Sequence, residues 1–166
     1  MAQNCKRRIL VAVDGSKAAD HAFQWYLDHL RQPDDYVYGL IVPVYKFSGV
    51  SVFKKVGPLA DVDALTSEFK SQHDIVEKVI ADYTAKLRSA GVKGQFDEYC
   101  GESPETTILT QCEKLNCDSI VMGSRGLSGF KKFLLGSCSS YVLNHAPVPV
   151  SIIPLKQSDE EQQKKQ

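Results

Sequence analysis

The segment Met122-Gly123-Ser124-Arg125-Gly126-Leu127-Ser128-Gly129, which runs on through Lys131 and Lys132 to Gly136-Ser137-Cys138-Ser139, is suited to holding an anion. It begins where an apolar strand pattern ends and finishes where a helical pattern begins. Glycines at 123 and 126 let a ligand come close to the backbone or allow φ > 0. Gly136 and Ser137 open a helix, where unpaired N–H groups and the helix dipole favour negative charge. The hydroxyls of Ser137 and Ser139 add donors. Arg125, Lys131 and Lys132 lie in a stretch without acidic residues between Asp118 and Asp159. In a chain of zero formal net charge they create a local positive field. The competing reading is a glycine loop ahead of a capped helix, with both lysines solvated.

Other chemistry is not encoded visibly. There is no G-x-x-x-x-G-K-[ST] motif, and no G-x-G-x-x-G follows the first strand pattern. His21, His29, His73 and His145 are scattered. Cys138 and His145 share a helical face but sit about 10 Å apart along the axis, too far to chelate one ion. Cys112 and Cys117 read as packing residues with nothing basic beside them in sequence. No serine has an identifiable histidine–acid pair. No carboxylate is evident near the anion segment to hold Mg²⁺ or activate water, so catalytic residues are not assigned and fast hydrolysis is not expected.

The elements that must position these residues follow a βα rhythm. Residues 9–13 form a wholly apolar run, as expected of a strand covered on both faces. Asp14-Gly15-Ser16 is a turn with Ser16 as helix N-cap, and Ala19, Ala22, Phe23, Tyr26, Leu27 and Leu30 recur at helical spacing. Pro33-Asp34-Asp35 breaks that helix before a second strand at 36–42. Residues 43–61 read as a loop insertion. Leu65, Phe69, Val76, Val79, Ile80, Tyr83 and Leu87 mark a long helix closed by Gly91 at C′, and residues 95–100 a third strand. Ser103-Pro104-Glu105 is an N-cap, a proline at N1 and a first-turn acid, with Ile108, Leu109, Cys112 and Leu115 on the inner face. A fourth strand at 119–122, a helix Ser137–His145 and a fifth strand from Val148 to Ile153 complete the pattern. Pro149 within that last run marks an edge strand. The alternation predicts right-handed crossovers and a parallel sheet with helices on both faces.

The chain has 166 residues, 43% hydrophobic and 24% charged, which is the size and composition of one globular domain. Residues 1–155 read as that domain, and 156–166 as a disordered polar tail. The zero net charge gives no general attraction to nucleic acid or anionic membrane. Five cysteines without a C-x-x-C pair suit a reducing compartment. The apolar run at 9–13 is too short for an export signal, no run approaches the ~20 residues of a membrane span, and residue 2 is alanine where N-myristoylation needs glycine. A cytoplasmic location is expected.

The spacing Gly123-x2-Gly126-x9-Gly136-Ser137 resembles the nucleotide motif of the universal stress protein family, in its ATP-binding branch. Val11-Ala12-Val13-Asp14-Gly15-Ser16, Ile120-Val121-Met122-Gly123-Ser124-Arg125-Gly126 and Pro147-Val148-Pro149-Val150 share the resemblance, which covers roughly residues 7–154. It implies a three-layer, doubly wound α/β domain of the adenine nucleotide alpha hydrolase-like type, with a five-stranded parallel sheet of order 3-2-1-4-5. A ligand then belongs beyond the carboxyl ends of strands one and four, at the topological switch, and Asp14 and Gly123 stand at those ends.

The resemblance further implies that Ala12, Val13 and Asp14 meet adenosine, and that Val42 packs on the adenine. Met122, Gly123 and Gly126 would line the ribose and α-phosphate, with Arg125 beside them, and Gly136, Ser137, Cys138 and Ser139 the outer phosphates. Asp14 has a second reading as a turn residue, and Val42 as plain core. The implied ligand is ATP, with ADP or AMP as alternatives and Mg²⁺ as a companion without an identified protein carboxylate. The implied role is an ATP-binding stress-response regulator, homodimeric through Val148 to Ile153, with little or no turnover. The rival readings are an adenylate-cleaving or adenylate-transferring enzyme, a flavodoxin-like FMN carrier, and an interaction module with an empty loop.

Overall fold

A computed structural model describes residues 7–44, 62–124 and 135–155, leaving out the side chains of 62–65. Most of the insertion at 43–61, the basic stretch with Arg125, Gly126, Lys131 and Lys132, and the polar tail lie outside the described residues. Strands β1 (Arg7–Val13), β2 (Asp35–Ile41), β3 (Lys93–Glu98), β4 (Ser119–Ser124) and β5 (Val150–Pro154) alternate with helices α1 (Lys17–Trp25), α2 (Val62–Ser89), α3 (Pro104–Lys114) and α4 (Ser137–His145). All neighbouring strands pair in parallel, in the order β3-β2-β1-β4-β5, as the sequence predicts.

The period of two along β1 divides the core. Ile9, Val11 and Val13 enter a cluster with Ala22 and Phe23 of α1 and Tyr83 and Leu87 of α2. Leu10 enters the opposite cluster, with Ile108 and Cys112 of α3 and Val142 of α4. Both faces of the central strand are therefore dry, which is why its sequence is a run of apolar residues and does not alternate.

Helix boundaries follow the expected local chemistry. The Ser16 hydroxyl accepts from Ala19 N–H at 3.3 Å, and that of Ser103 from Thr106 N–H at 3.3 Å. Gly91 adopts φ +65°. Its N–H reaches Arg88 O at 2.9 Å and that of Val92 reaches Leu87 O at 3.2 Å, a Schellman closure of α2. α1 continues into a π-helical turn, Tyr26–Leu30, sealed by Arg31 N–H to Tyr26 O at 2.9 Å.

Several edges differ from the sequence pattern. β1 extends back to include Arg7, whose Nε and Nη2 donate to the buried Asp35 carboxylate, 1% exposed, at 2.9 and 2.8 Å. The Tyr26 hydroxyl and Gln32 N–H also donate to it, each at 2.9 Å. β2 consequently starts at Asp35 and ends at Ile41, so Val42 lies just past it. β5 is an edge strand, but Pro149 precedes it; its carbonyl accepts from Ile120 N–H at 2.9 Å. The expected inner face of α2 is only partly an inner face. Phe69 is 45% exposed, and full burial begins at Tyr83.

Candidate functional site

A cleft of about 730 Å³ opens at the carboxyl ends of β1, β2 and β4, where strand order reverses around β1. That volume falls within the range of small-ligand sites, roughly 300–1,000 Å³. Ala12 and Val13 end β1 on its floor, Asp14 follows it, Val42 follows β2, Met122 and Gly123 belong to β4, and Gly136, Ser137, Cys138 and Ser139 open α4 beside them. Every candidate ligand residue among the described ones thus lines a single cleft. Arg125 and Gly126 fall outside the described residues.

Asp14 forms the turn read from sequence and also borders the cleft. Its Oδ1 accepts from Ser16 N–H at 3.0 Å, forming the turn in which Gly15 takes φ +73°, and the same residue borders the cleft. The fold positions this carboxylate through the Asp-Gly-Ser turn and the Ser16 cap.

Gly123 and Gly136 are glycines for different reasons. A Cβ on Gly123 would collide with the Ala18 carbonyl of α1 and lie 3.0 Å from Ala19 N, so the close packing of α1 on β4 excludes one. A Cβ on Gly136 would find only Ser139 Oγ, at 3.6 Å, and the residue has φ −61°. Among the described residues nothing demands glycine at 136.

In α4 the first backbone bond joins Ser140 N–H to Gly136 O at 2.9 Å. The N–H groups of Ser137, Cys138 and Ser139 therefore have no partner within the helix. The Ser139 hydroxyl, buried, already donates to Gly136 O at 3.0 Å, which differs from its expected role as a donor to ligand. Ser137 is the exposed hydroxyl of this turn. Burial pushes the Cys138 thiol pKa up, and the charges of Glu105 and Asp14 push it further, which makes it a poor nucleophile.

Glu105, missed as a neighbour of this turn, stands in the first turn of α3 and acts on Cys138. Missed lining residues include Ile75, Val76 and Val79 from α2 and Pro104 and Ile108 from α3. Their helical periodicity marks a buried face but does not say which end of that face a cleft interrupts. Among the described residues no Lys, Arg or His lines the cleft, and no cluster of three or more His, Cys, Asp or Glu groups could hold a metal. No helix among them is long and apolar enough to cross a membrane.

These features define a doubly wound α/β protein with an open crevice at its topological switch point. The model of the universal stress protein family matches residues 6–154, and the chain belongs to that family. It is 29% identical over 160 residues to universal stress protein PHOS34 of Arabidopsis thaliana, covering 89% of this chain and 62% of that relative; the chain thus spans less than two thirds of that relative's length. An Arabidopsis thaliana family protein with AMP bound superposes with a TM-score of 0.67 at 21% identity, over 92% of this chain and 94% of the other. A universal stress protein in complex with cAMP gives 0.59 at 14% identity, over 89% and 96%.

Proposed function

We propose that the cleft binds an adenine nucleotide, ATP foremost with ADP or AMP as alternatives, and that the protein is a nucleotide-dependent stress-response regulator with little or no hydrolysis. The observation that carries this reading is the meeting, in one cleft, of the Asp14 carboxylate and the N–H groups opening α4 that have no partner within the helix. The carboxylate suits ribose or adenine donors, and the helix N-terminus suits phosphate. Two family proteins of the same fold hold AMP and cAMP, which supports the adenine assignment. Arg125 and Gly126 are proposed to complete the phosphate end. Magnesium enters this reading as a counter-ion of the phosphates, because no three-group protein cluster is present for it among the described residues. Assembly is proposed as a homodimer through β5.

The test is thermal melting of protein verified to be nucleotide-free. Ligand at ~100 times its Kd adds about 2.7 kcal/mol, a shift of roughly 5–10 °C for a domain of this size. Absence of a shift with millimolar ATP, ADP and AMP overturns the reading. Mass spectrometry of nucleotide released from freshly purified protein identifies which one is carried.

A further inference from the structure

The C-terminal closure of α3 places two thiols where other helices place hydrocarbon. Leu115 caps the helix and Asn116 follows with φ +49°. Asn116 N–H reaches Glu113 O at 3.0 Å, and Cys117 N–H reaches Cys112 O at 2.9 Å. This is the same Schellman closure that ends α2, and it brings the side chains at its C3 and C″ positions together. In α2 those positions are Leu87 and Val92; in α3 they are Cys112 and Cys117. Both cysteines are buried, at 1% and 5% exposure, in one cluster with Ile108, Ile120 and Val142.

We propose that Cys112 and Cys117 form a modification site, a buried dithiol that a hydroperoxide converts reversibly into an intramolecular disulfide across the C-terminal cap of α3. A disulfide requires Cα atoms within roughly 7 Å and Cβ atoms that face each other, and a closed six-residue turn with both side chains on the core side supplies that arrangement. The neighbouring thiol lowers the Cys112 thiol pKa and raises that of Cys117, which burial raises further, so Cys112 is the sulfur that attacks. Its thiolate forms an S–O bond as the O–O bond breaks, and the departing alkoxide takes a proton to leave as alcohol, or as water from hydrogen peroxide. Cys117 then attacks the Cys112 sulfenic acid. The S–S bond forms, the S–O bond breaks, and hydroxide leaves with the Cys117 proton as water. Two thiols lose two electrons, and the peroxide is reduced by two. The site is independent of the proposed nucleotide role.

The experiment treats the reduced, folded full-length chain with hydrogen peroxide, raising the dose until the exposed Cys100 is oxidised. The sample is then unfolded in excess alkylating reagent and digested with trypsin. Trypsin cuts after Lys114, between the two cysteines, and a second digestion with a glutamyl endopeptidase, which cuts after Glu102 and Glu105, separates Cys100 from Cys112, so only a Cys112–Cys117 disulfide keeps the Cys112 and Cys117 peptides joined. The expected result is that joined pair, with the alkylations of Cys112 and Cys117 lost and restored by dithiothreitol. Cys117→Ser, verified folded by circular dichroism, is expected to abolish the joined pair. Full alkylation of both cysteines in protein whose Cys100 is oxidised overturns the proposal, as does a link from Cys100 to either one. A joined pair that forms only when peroxide is added to unfolded chain also overturns it.

Discussion

At the scale of single residues, the two described glycines of the cleft separate the needs of the fold from those of a ligand. Gly123→Ala forces a methyl group into the backbone of α1, and overpacking of this kind costs about 1–3 kcal/mol. Gly136→Ala meets only ordinary contact among the described residues, with Ser139 Oγ, at an ordinary φ. There the N-cap preference for glycine and the smaller unfolded-state entropy of alanine are similar in size and opposite in sign. Chemical denaturation is therefore expected to show a destabilised Gly123→Ala and a nearly unchanged Gly136→Ala. Calorimetric titration is expected to show the second variant binding ATP at least ~10-fold more weakly, about 1.4 kcal/mol. Unchanged ATP affinity would remove the phosphate path from this turn. Ser137→Ala is expected to weaken ATP by about 10-fold or more while sparing adenosine, since one hydrogen bond to a charged group contributes roughly 1.5–3 kcal/mol. Asp14→Ala is expected to weaken both ligands by similar factors, and titration of both against each variant reads the ratio. The glycine spacing and Asp14-Gly15-Ser16 were legible because turn and cap chemistry is local. The occupied hydroxyl of Ser139 was not, since nothing in a serine's neighbours says whether its proton is already given to a carbonyl three residues back.

At the scale of elements, the closed end of the sheet is tied by Arg7, Tyr26, Gln32 and Asp35. Burial alone would push the Asp35 carboxyl up, but hydrogen bonds from Arg7, Gln32 N–H and Tyr26 outweigh it and hold the carboxyl below the usual range. A carboxyl depressed on folding adds stability above its unfolded pKa, near 4, and loses it as pH falls through the folded value. Arg7→Met removes the largest of these hydrogen-bond contributions and is expected to cost about 2 kcal/mol at neutral pH. Its deficit against wild type is expected to shrink as pH falls below 4 and through the lower folded pKa that Asp35 has in the wild type, and to be smallest once Asp35 is protonated in both. Denaturant titrations at pH 7, 4 and 2.5 measure this, and a pH-independent deficit would show that Arg7 acts through packing. The βα order, the caps of α1 and α3 and the Gly91 stop of α2 were all readable from periodicity and cap residues. The start of β1 was not, because two arginines break an apolar pattern and their partner Asp35 is 28 residues from Arg7. Pro149 read as an interior strand residue because apolar composition runs through it, whereas the ladder uses only its carbonyl.

At the scale of the whole molecule, β5 leaves one edge of the sheet unpaired among the described residues, and such edges invite a second chain. Val150→Asp is expected to convert the proposed dimer to monomer in light scattering; a variant that stays dimeric would move the interface elsewhere. The order of the strands was reachable only through family resemblance, since periodicity fixes the sequence of elements and not their neighbours. The long second helix has a kinetic consequence. Its last turns are anchored by Tyr83 and Leu87, 2% and 1% exposed, whereas Phe69 and Ile75 are 45% and 62% exposed. Sparse burial lowers the free energy of local opening, so amide hydrogens of 66–75 are expected to exchange with deuterium well before those of 83–89. Ile75, Val76 and Val79 also wall the cleft, so a molecule seated there leans on the loosely held half and slows its opening. Exchange measured with and without ATP then turns this helix into a built-in gauge of occupancy, and equal rates in 66–79 would show that the ligand does not reach it.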